Sequence, residues 1–286
     1  MNASPAKTKE PVEKPQFQPK SALLPPDSVP SQIAYGHSDM SICDEREPMP
    51  KSSNLCKKAG FPTGSGLLLV DKAAGSTSFY LVSLLRRLTK IEKIGHAGTL
   101  DPFATGVMVM LIGREYTRRS DEFLCSDKEY RATLQLGIAT DTYDLEGQII
   151  SRSEKIPTLK EIELALTSFQ GEISQVPPMY SAKKVEGKKL YDLARKGITI
   201  ERQPVKVQIA ITFISYNYPM LEIQVSCSKG TYIRSLAHDI GTFLGCGAHL
   251  FELARTRSGP FHLGQCIPQS HLKNPTFDLS PHLRHL

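Results

Sequence analysis

What this 286-residue chain lacks narrows its class before any motif is read. Its longest apolar stretches, such as Val107 to Ile112, run for only a few residues. A membrane-spanning helix needs roughly 20, so no membrane partner is expected. The six cysteines, at 43, 56, 125, 227, 246 and 266, form no Cys-x-x-Cys pair and no metal-ligand spacing. A metal site is therefore not expected, and the cysteines read as reduced thiols of a soluble, cytoplasmic protein. The first twenty residues contain no arginine and include Glu10 and Glu13, which argues against a mitochondrial leader, and no apolar signal region is present.

Proline and charge are unevenly spread. Ten of the 20 prolines lie at or before Pro62, among Ser, Lys and Glu and without sustained apolar periodicity. Such a segment cannot bury enough apolar surface to offset chain entropy, so residues 1–62 are expected to form a disordered extension. Met40 and Met49 offer later translation starts that would shorten it. The net charge of +6 suits a polyanion partner without specifying one. Its distribution says more: residues 183–206 hold eight Lys/Arg (Lys183, Lys184, Lys188, Lys189, Arg195, Lys196, Arg202, Lys206) against three acids, net +5. By itself such a run is a solvated face.

From Gly64 onward, strands and helices alternate without a regular βαβ rhythm. Leu67 to Val70 reads as a short strand, and Ser78 opens a helix with Phe79, Val82, Leu85 and Leu88 at helical spacing. Val107 to Ile112, closed by Gly113, is a buried strand, and Tyr130 to Gly137 alternates as a half-buried one. Pro157-Thr158 caps a helix carrying Ile162, Leu164, Leu166 and Phe169, and Lys188 to Lys196 forms a basic helical turn or two. Val205 to Tyr216 and Leu221 to Cys227 pair as antiparallel strands, and Tyr232 to Leu244 is the last long helix. Asn274 to Leu286 reads as a short irregular end. This pattern predicts an α+β fold with a mixed, largely antiparallel sheet flanked by helices.

The most informative stretch is Gly95-His96-Ala97-Gly98-Thr99-Leu100-Asp101-Pro102-Phe103-Ala104-Thr105-Gly106-Val107. Pro102 biases Asp101 toward extended backbone, and the flanking glycines permit tight turns and close approach of a ligand. The carboxylate is thus presented from a stiff loop anchored on a strand, where functional side chains concentrate. Taken alone, such an Asp-Pro is a turn. Other blocks surround it in order: Gly66 to Lys72 with Gly75-Ser76-Thr77-Ser78, then Ser126 to Tyr130, and Thr140 to Asp144 with Gly147. Met179-Tyr180-Ser181-Ala182, Cys227 to Leu236 with Lys229-Gly230-Thr231-Tyr232-Ile233-Arg234, and Leu244 to Leu253 complete the series.

Together these blocks resemble the TruB family of pseudouridine synthases over residues 64–265. The resemblance implies the pseudouridine synthase fold, with a catalytic domain over 63–267, a basic RNA-gripping thumb at 183–206 and a short C-terminal tail at 268–286. It implies a tRNA pseudouridine synthase acting on the T-arm uridine numbered 55, without cofactor or metal and as a monomer. The essential carboxylate falls on Asp101, its partner on Arg234, and the residue stacking against uracil on Tyr130. Substrate contacts fall on His96, Tyr232 and Leu253, on Lys72 as support for the active-site loop, and on Lys183, Lys184 and Lys188 of the thumb. Whether Asp101 attacks the sugar, attacks the base or stabilises a charged intermediate stays open.

Three departures stand out. Ala73 occupies a position where the family has proline, and Ala254 that of the first arginine of a Leu-Arg-Arg-Thr string, leaving Arg255-Thr256-Arg257. The matched region is also followed by too few residues for the separate C-terminal RNA-binding (PUA) domain of many relatives, which points to a stand-alone enzyme. Two other functions fit the same residues. One is a tRNA-binding folding chaperone with secondary or absent catalysis, and the other is a synthase acting on a different stem-loop RNA.

Overall fold

The computed structural model of the chain describes residues 64–285, apart from 182, 186 and 275. The extension expected to be disordered, 1–62, lies outside the described residues. The chain begins with β1 (Gly66–Lys72), α1 (Ser78–Thr89), β2 (Ile94–Ala97) and β3 (Thr105–Ile112). Two short helices, α2 (Arg114–Arg118) and α3 (Ser120–Leu124), lead into β4 (Lys128–Leu136), β5 (Ile138–Thr140) and β6 (Ile149–Arg152). Then come α4 (Leu159–Ser168), β7 (Gly171–Gln175), the small hairpin β8 (Lys184–Val185) and β9 (Lys188–Lys189), and α5 (Leu190–Ala194). The long pair β10 (Val205–Asn217) and β11 (Met220–Cys227) precedes α6 (Ile233–Leu244), β12 (Ala248–Ser258), β13 (Phe261–His262) and β14 (Ile267–Pro268).

The main sheet runs in the order β14-β1-β3-β12-β4-β11-β10-β7, with β2 added on β3 and β13 on β12. Its pairs are antiparallel except β1 with β14 and β3 with β12. The fold is α+β with a mixed, largely antiparallel sheet, as the pattern predicted. The sheet explains why Val107 to Ile112 is continuously apolar while Tyr130 to Leu136 alternates. Met108, Met110 and Ile112 face the large core shared with α1, α4 and α6, whereas Val107, Val109 and Leu111 face a second core with Leu67, Leu69, Tyr116 and Phe261. A strand buried on both faces needs apolar side chains at every position. β4 buries only Tyr130, Ala132, Leu134 and Leu136 of its apolar face and turns Arg131 to solvent.

Three expectations are corrected. In α1 the buried apolar positions are Leu81, Val82, Leu84 and Leu85, while Phe79 is 64% exposed. The cause is Ser78, which is buried and exchanges hydrogen bonds with the backbone of Leu100, so the next residue is rotated outward. Likewise Leu164 of α4 is exposed, the inward positions being Ile162, Ala165 and Leu166. The basic segment from Lys188 is not helical throughout: Lys188 and Lys189 pair with β8 after a turn at Gly187, whose φ of 78° suits glycine, and only Leu190–Ala194 is helix. The end of the chain, though irregular in backbone, is part of the core. Leu272 and Leu279 are buried, and Arg284 pairs with Leu67 by hydrogen bonds of 2.8 and 2.9 Å.

One glycine fixes the loop before β3. Gly106 has φ of +104°, and a Cβ there would lie 2.3 Å from the carbonyl oxygen of Arg255 and 2.7 Å from its nitrogen. Because the obstacle is the backbone of the paired strand, it cannot step aside. Gly106→Ala is expected to lose about 3 kcal/mol or more. For a domain of this size that is a fall of roughly 6–12 °C in Tm, readable by calorimetry.

Candidate active site

Asp101 lies in the loop between β2 and β3, held from behind by the backbone. The buried Lys72 ammonium donates to the carbonyls of Ser76 (2.7 Å), Ala73 (3.0 Å) and Pro102 (3.0 Å), tying the end of β1 to the residue after Asp101. Burial lowers the Lys72 pKa to about 8, against the opposing pull of Asp101. The amide of Gly75 also donates to the Pro102 carbonyl (2.9 Å), and that of Ala104 to the Asp101 carbonyl (3.1 Å). Pro102 has no amide hydrogen to place, so the loop is fixed through its carbonyls.

Arg234, on the first turn of α6, grips the carboxylate with two prongs. Its Nε lies 2.9 Å from Asp101 Oδ2, and its Nη2 donates to Oδ1 at 3.1 Å. The remaining donors go to the Tyr180 carbonyl (2.8 Å), the Thr142 carbonyl (3.4 Å) and Asp144 Oδ2 (3.2 Å). All five guanidinium hydrogens are thus engaged, which leaves the side chain one orientation. Arg234 and Asp144 are buried, whereas the Asp101 side chain keeps a third of its surface open to the cavity. Burial raises the Asp101 pKa; Arg234 and Lys72 oppose this, and Asp144 adds to it. An ionised carboxylate flanked by two cations and open on one side is placed to act on a bound group.

Asp144 carried no role in the sequence reading. Its carboxylate accepts from Thr142 Oγ1 (2.6 Å) and the Glu146 amide (3.1 Å), in a turn that begins with Tyr143 at φ +66°. Gly147 closes that turn, because a Cβ there would meet Thr142 Oγ1 at 2.2 Å. The only signal in the sequence was the Asp-rich block ending in that glycine.

Above Asp101 opens a cavity of about 620 Å³. Tyr130, Tyr232, Leu253 and Arg255 line it, as do Tyr180 and Lys183. Tyr130 comes from β4 and sits beside Arg255 of β12 in the sheet. Tyr232 caps α6, its amide donating to Gln175 Oε1 (2.8 Å) and its carbonyl accepting from Gln175 Nε2 (3.0 Å). Arg255 is the largest fully buried side chain. It donates to the carbonyls of Val107 (2.8 Å) and Gly98 (3.2 Å), bracing the loop at both ends. Burial pushes the Tyr130 hydroxyl pKa up, and the neighbouring Arg255 opposes that rise.

The remaining expected contacts lie elsewhere. His96 is a half-buried residue of β2, outside the cavity lining, with Nδ1 buried and unpartnered among the described residues. Burial, and then Arg255, lower its pKa. Lys184 and Lys188 lie in the β8–β9 hairpin, where Lys184 pairs with Lys189 and Lys188 with Val185. Tyr191 and Arg195 also line the cavity, with the guanidinium 5.5 Å from the tyrosine ring centre.

Residues 86–233 match the TruB family pseudouridylate synthase (N terminal domain), and residues 234–279 match the tRNA pseudouridylate synthase B C-terminal domain. The chain is 60% identical over 219 residues to the tRNA pseudouridine synthase B of Chlamydia muridarum, covering 77% of this chain and 91% of that protein. It is 63% identical over 202 residues to the protein of the same name from Protochlamydia amoebophila, covering 71% and 77%. Among solved structures, a chain from the crystal structure of a Cbf5-Nop10-Gar1 complex superposes with a TM-score of 0.57 at 31% identity. That match covers 72% of this chain and about half of the other, 53%.

Proposed function

This chain belongs to the TruB family of pseudouridylate synthases, and we propose that it converts uridine to pseudouridine at position 55 of the tRNA T-loop, with Asp101 as the essential carboxylate. The observation that carries this reading is the two-pronged grip of Arg234 on Asp101 at the floor of a cavity walled by Tyr130, Tyr232 and Leu253.

The reaction breaks the bond between ribose C1′ and uracil N1, turns the base, and forms a bond from C1′ to C5. The C5 hydrogen leaves as a proton and N1 takes one up, so there is neither hydrolysis nor redox change. Three things are required of the protein: an ionised carboxylate beside the sugar, a wall that keeps the detached uracil, and exclusion of water. Asp101 supplies the first: burial raises its pKa, and Arg234 and Lys72 favour its ionised form against that cost. Tyr130 offers a ring face for the uracil, and Leu253 and Tyr232 close the pocket around a base taken out of its stack. An isolated loop nucleotide is the form in which RNA exposes a base for such handling. The basic thumb, including Lys183, Lys184, Lys188 and Arg195, grips phosphates without reading sequence.

Tritium release from a tRNA transcript containing 5-tritiated uridine, followed by mapping of the modified position, tests the reading. Release mapped to the T-loop is the expected result. Tight, salt-sensitive tRNA binding without release would overturn it in favour of a tRNA-folding chaperone, and release from another stem-loop would overturn the choice of target.

Lys72 acts in this scheme by holding the loop. Lys72→Met removes this donor from the carbonyls of Ala73 and Ser76 and leaves Pro102, next to Asp101, held only by the Gly75 amide. A displacement of about 1 Å at a reacting group costs roughly 100-fold, so kcat is expected to fall about 10- to 100-fold while tRNA affinity is retained. Single-turnover kinetics at saturating tRNA would read the two effects apart.

A further inference from the structure

The solvent face of α1 leads from the Asp101 loop to a cluster of cations that the proposed reaction does not use. At its start, Ser78 exchanges hydrogen bonds of 3.1 and 3.0 Å with the backbone of Leu100, next to Asp101. Phe79, Ser83, Arg86 and Lys90 then follow one another along a single exposed stripe. The Arg86 guanidinium lies 6.0 Å from the centre of the Phe79 ring. At about 1.5 Å per residue the helix carries this stripe roughly 18 Å away from Leu100. It ends at a depression of about 370 Å³ lined by Arg86, Lys90, Ile91, Glu92 and Lys93. The Gly113 amide donates to the Lys93 carbonyl at 2.8 Å, which brings the start of α2 alongside.

Six exposed cations, Arg86, Arg87, Lys90, Lys93, Arg114 and Arg118, lie on the end of α1, the segment after it and the adjoining α2, with Glu92 and Glu115 among them. None of the six forms an ion pair among the described residues. Compensation of the helix dipole accounts for Arg86 and Arg87 in the last turn of α1. It does not account for Lys93, outside any helix, or for Arg114 in the first turn of α2, where a positive charge is disfavoured. Like charges held together without acidic partners repel, and a polyanion laid across them relieves that repulsion. An exposed ring beneath a guanidinium, followed by a row of cations, suits a nucleic acid strand better than an acidic protein, because it offers a stacking face as well as charge.

We propose that this face binds the phosphate backbone of the RNA beyond the loop that enters the cavity at Asp101, as a second contact that carries no sequence information. The proposal rests on the reading of the protein as an RNA-modifying enzyme. Its test is the full chain bearing Arg87→Glu, Lys90→Glu and Lys93→Glu together, titrated with a full-length tRNA transcript by fluorescence anisotropy across a salt series. Pseudouridine formation at saturating tRNA and circular dichroism are measured on the same samples. The expected result is a Kd raised at least about tenfold at low salt, with the slope of log Kd against log salt reduced by about 2 and kcat within about twofold of the parent. An unchanged Kd and slope in a folded variant would overturn the proposal. If the triple variant does not fold, Lys90→Gln and Lys93→Gln singly must each lower the slope by somewhat less than 1, and unaltered slopes would overturn it equally. Parent protein that binds tRNA but forms no pseudouridine would instead overturn the enzymatic reading, with the binding comparison still decisive for this surface.

Discussion

Asp101→Asn is expected to bind tRNA as the parent does and to form pseudouridine at least about 10⁴-fold more slowly, the scale on which loss of an essential reacting group is felt. The amide keeps the size of the carboxylate and can still accept from Arg234, so the loop and cavity remain in place. What it cannot do is carry negative charge, attack as a nucleophile or accept a proton. Anisotropy for binding and tritium release for chemistry separate these two effects. Equal loss of both would mean that Asp101 serves mainly to hold the fold. The parent's rate is expected to show an acid limb, because activity that needs the carboxylate ionised is lost as pH falls through its pKa. Since burial raises that pKa, the limb lies above the ordinary carboxylate value.

Arg234→Met strikes the same site from the other side, and its effect has two parts. Removing the guanidinium leaves Asp101 and Asp144 facing each other without the cation between them, Asp144 in a buried position. Breaking a buried pair by deleting one partner costs about 3–5 kcal/mol, seen as a lower denaturant midpoint. The catalytic part is a loss of roughly 10²- to 10³-fold in kcat, because the carboxylate is no longer aimed. With the cation gone, burial raises the Asp101 pKa unopposed by its strongest counter-charge, so the acid limb moves to higher pH. Arg234→Lys retains charge but loses the fork. It is expected to restore most of the pH profile and little of the rate. If the limb stays where it was in Arg234→Met, the group that limits the rate at low pH is not Asp101.

Much of this was legible in the residues, for identifiable reasons. Strand β3 declared itself because burial on both faces forces every position to be apolar, and β10 and β11 did so because one wet face forces alternation. In α1, Val82, Leu85 and Leu88 face the core as their spacing predicts and Phe79 does not, since Ser-Phe-Tyr-Leu-Val-Ser-Leu-Leu offers two apolar stripes. Only the tertiary hydrogen bonds from Ser78 to Leu100 choose between them. The Asp101 loop and Arg234 stood out through motif, but Asp144 did not, because an ion pair between residues 90 positions apart leaves no periodic trace. Arg255 looked like one more basic residue in a charged string. That it turns inward to brace Gly98 and Val107 follows from its parallel pairing with Gly106, which local sequence does not encode.

That pairing also orders events while the chain is being made. β3 and β4 follow one another in sequence with only α2 and α3 between them, yet in the sheet they never touch, because β12 lies between them. The Asp101 loop precedes β3, Tyr130 lies on β4, and Arg255 arrives only with β12. Contacts between distant parts of a chain form late, after the entropy of closing the intervening loop has been overcome. On that order the place between β3 and β4 is filled only once β12 has been made, and a fragment ending before β12 lacks the Leu253 wall of the cavity and the Arg255 brace on Gly98 and Val107. β12 is thus the strand that joins β14-β1-β3 to β4-β11-β10-β7 in a single sheet.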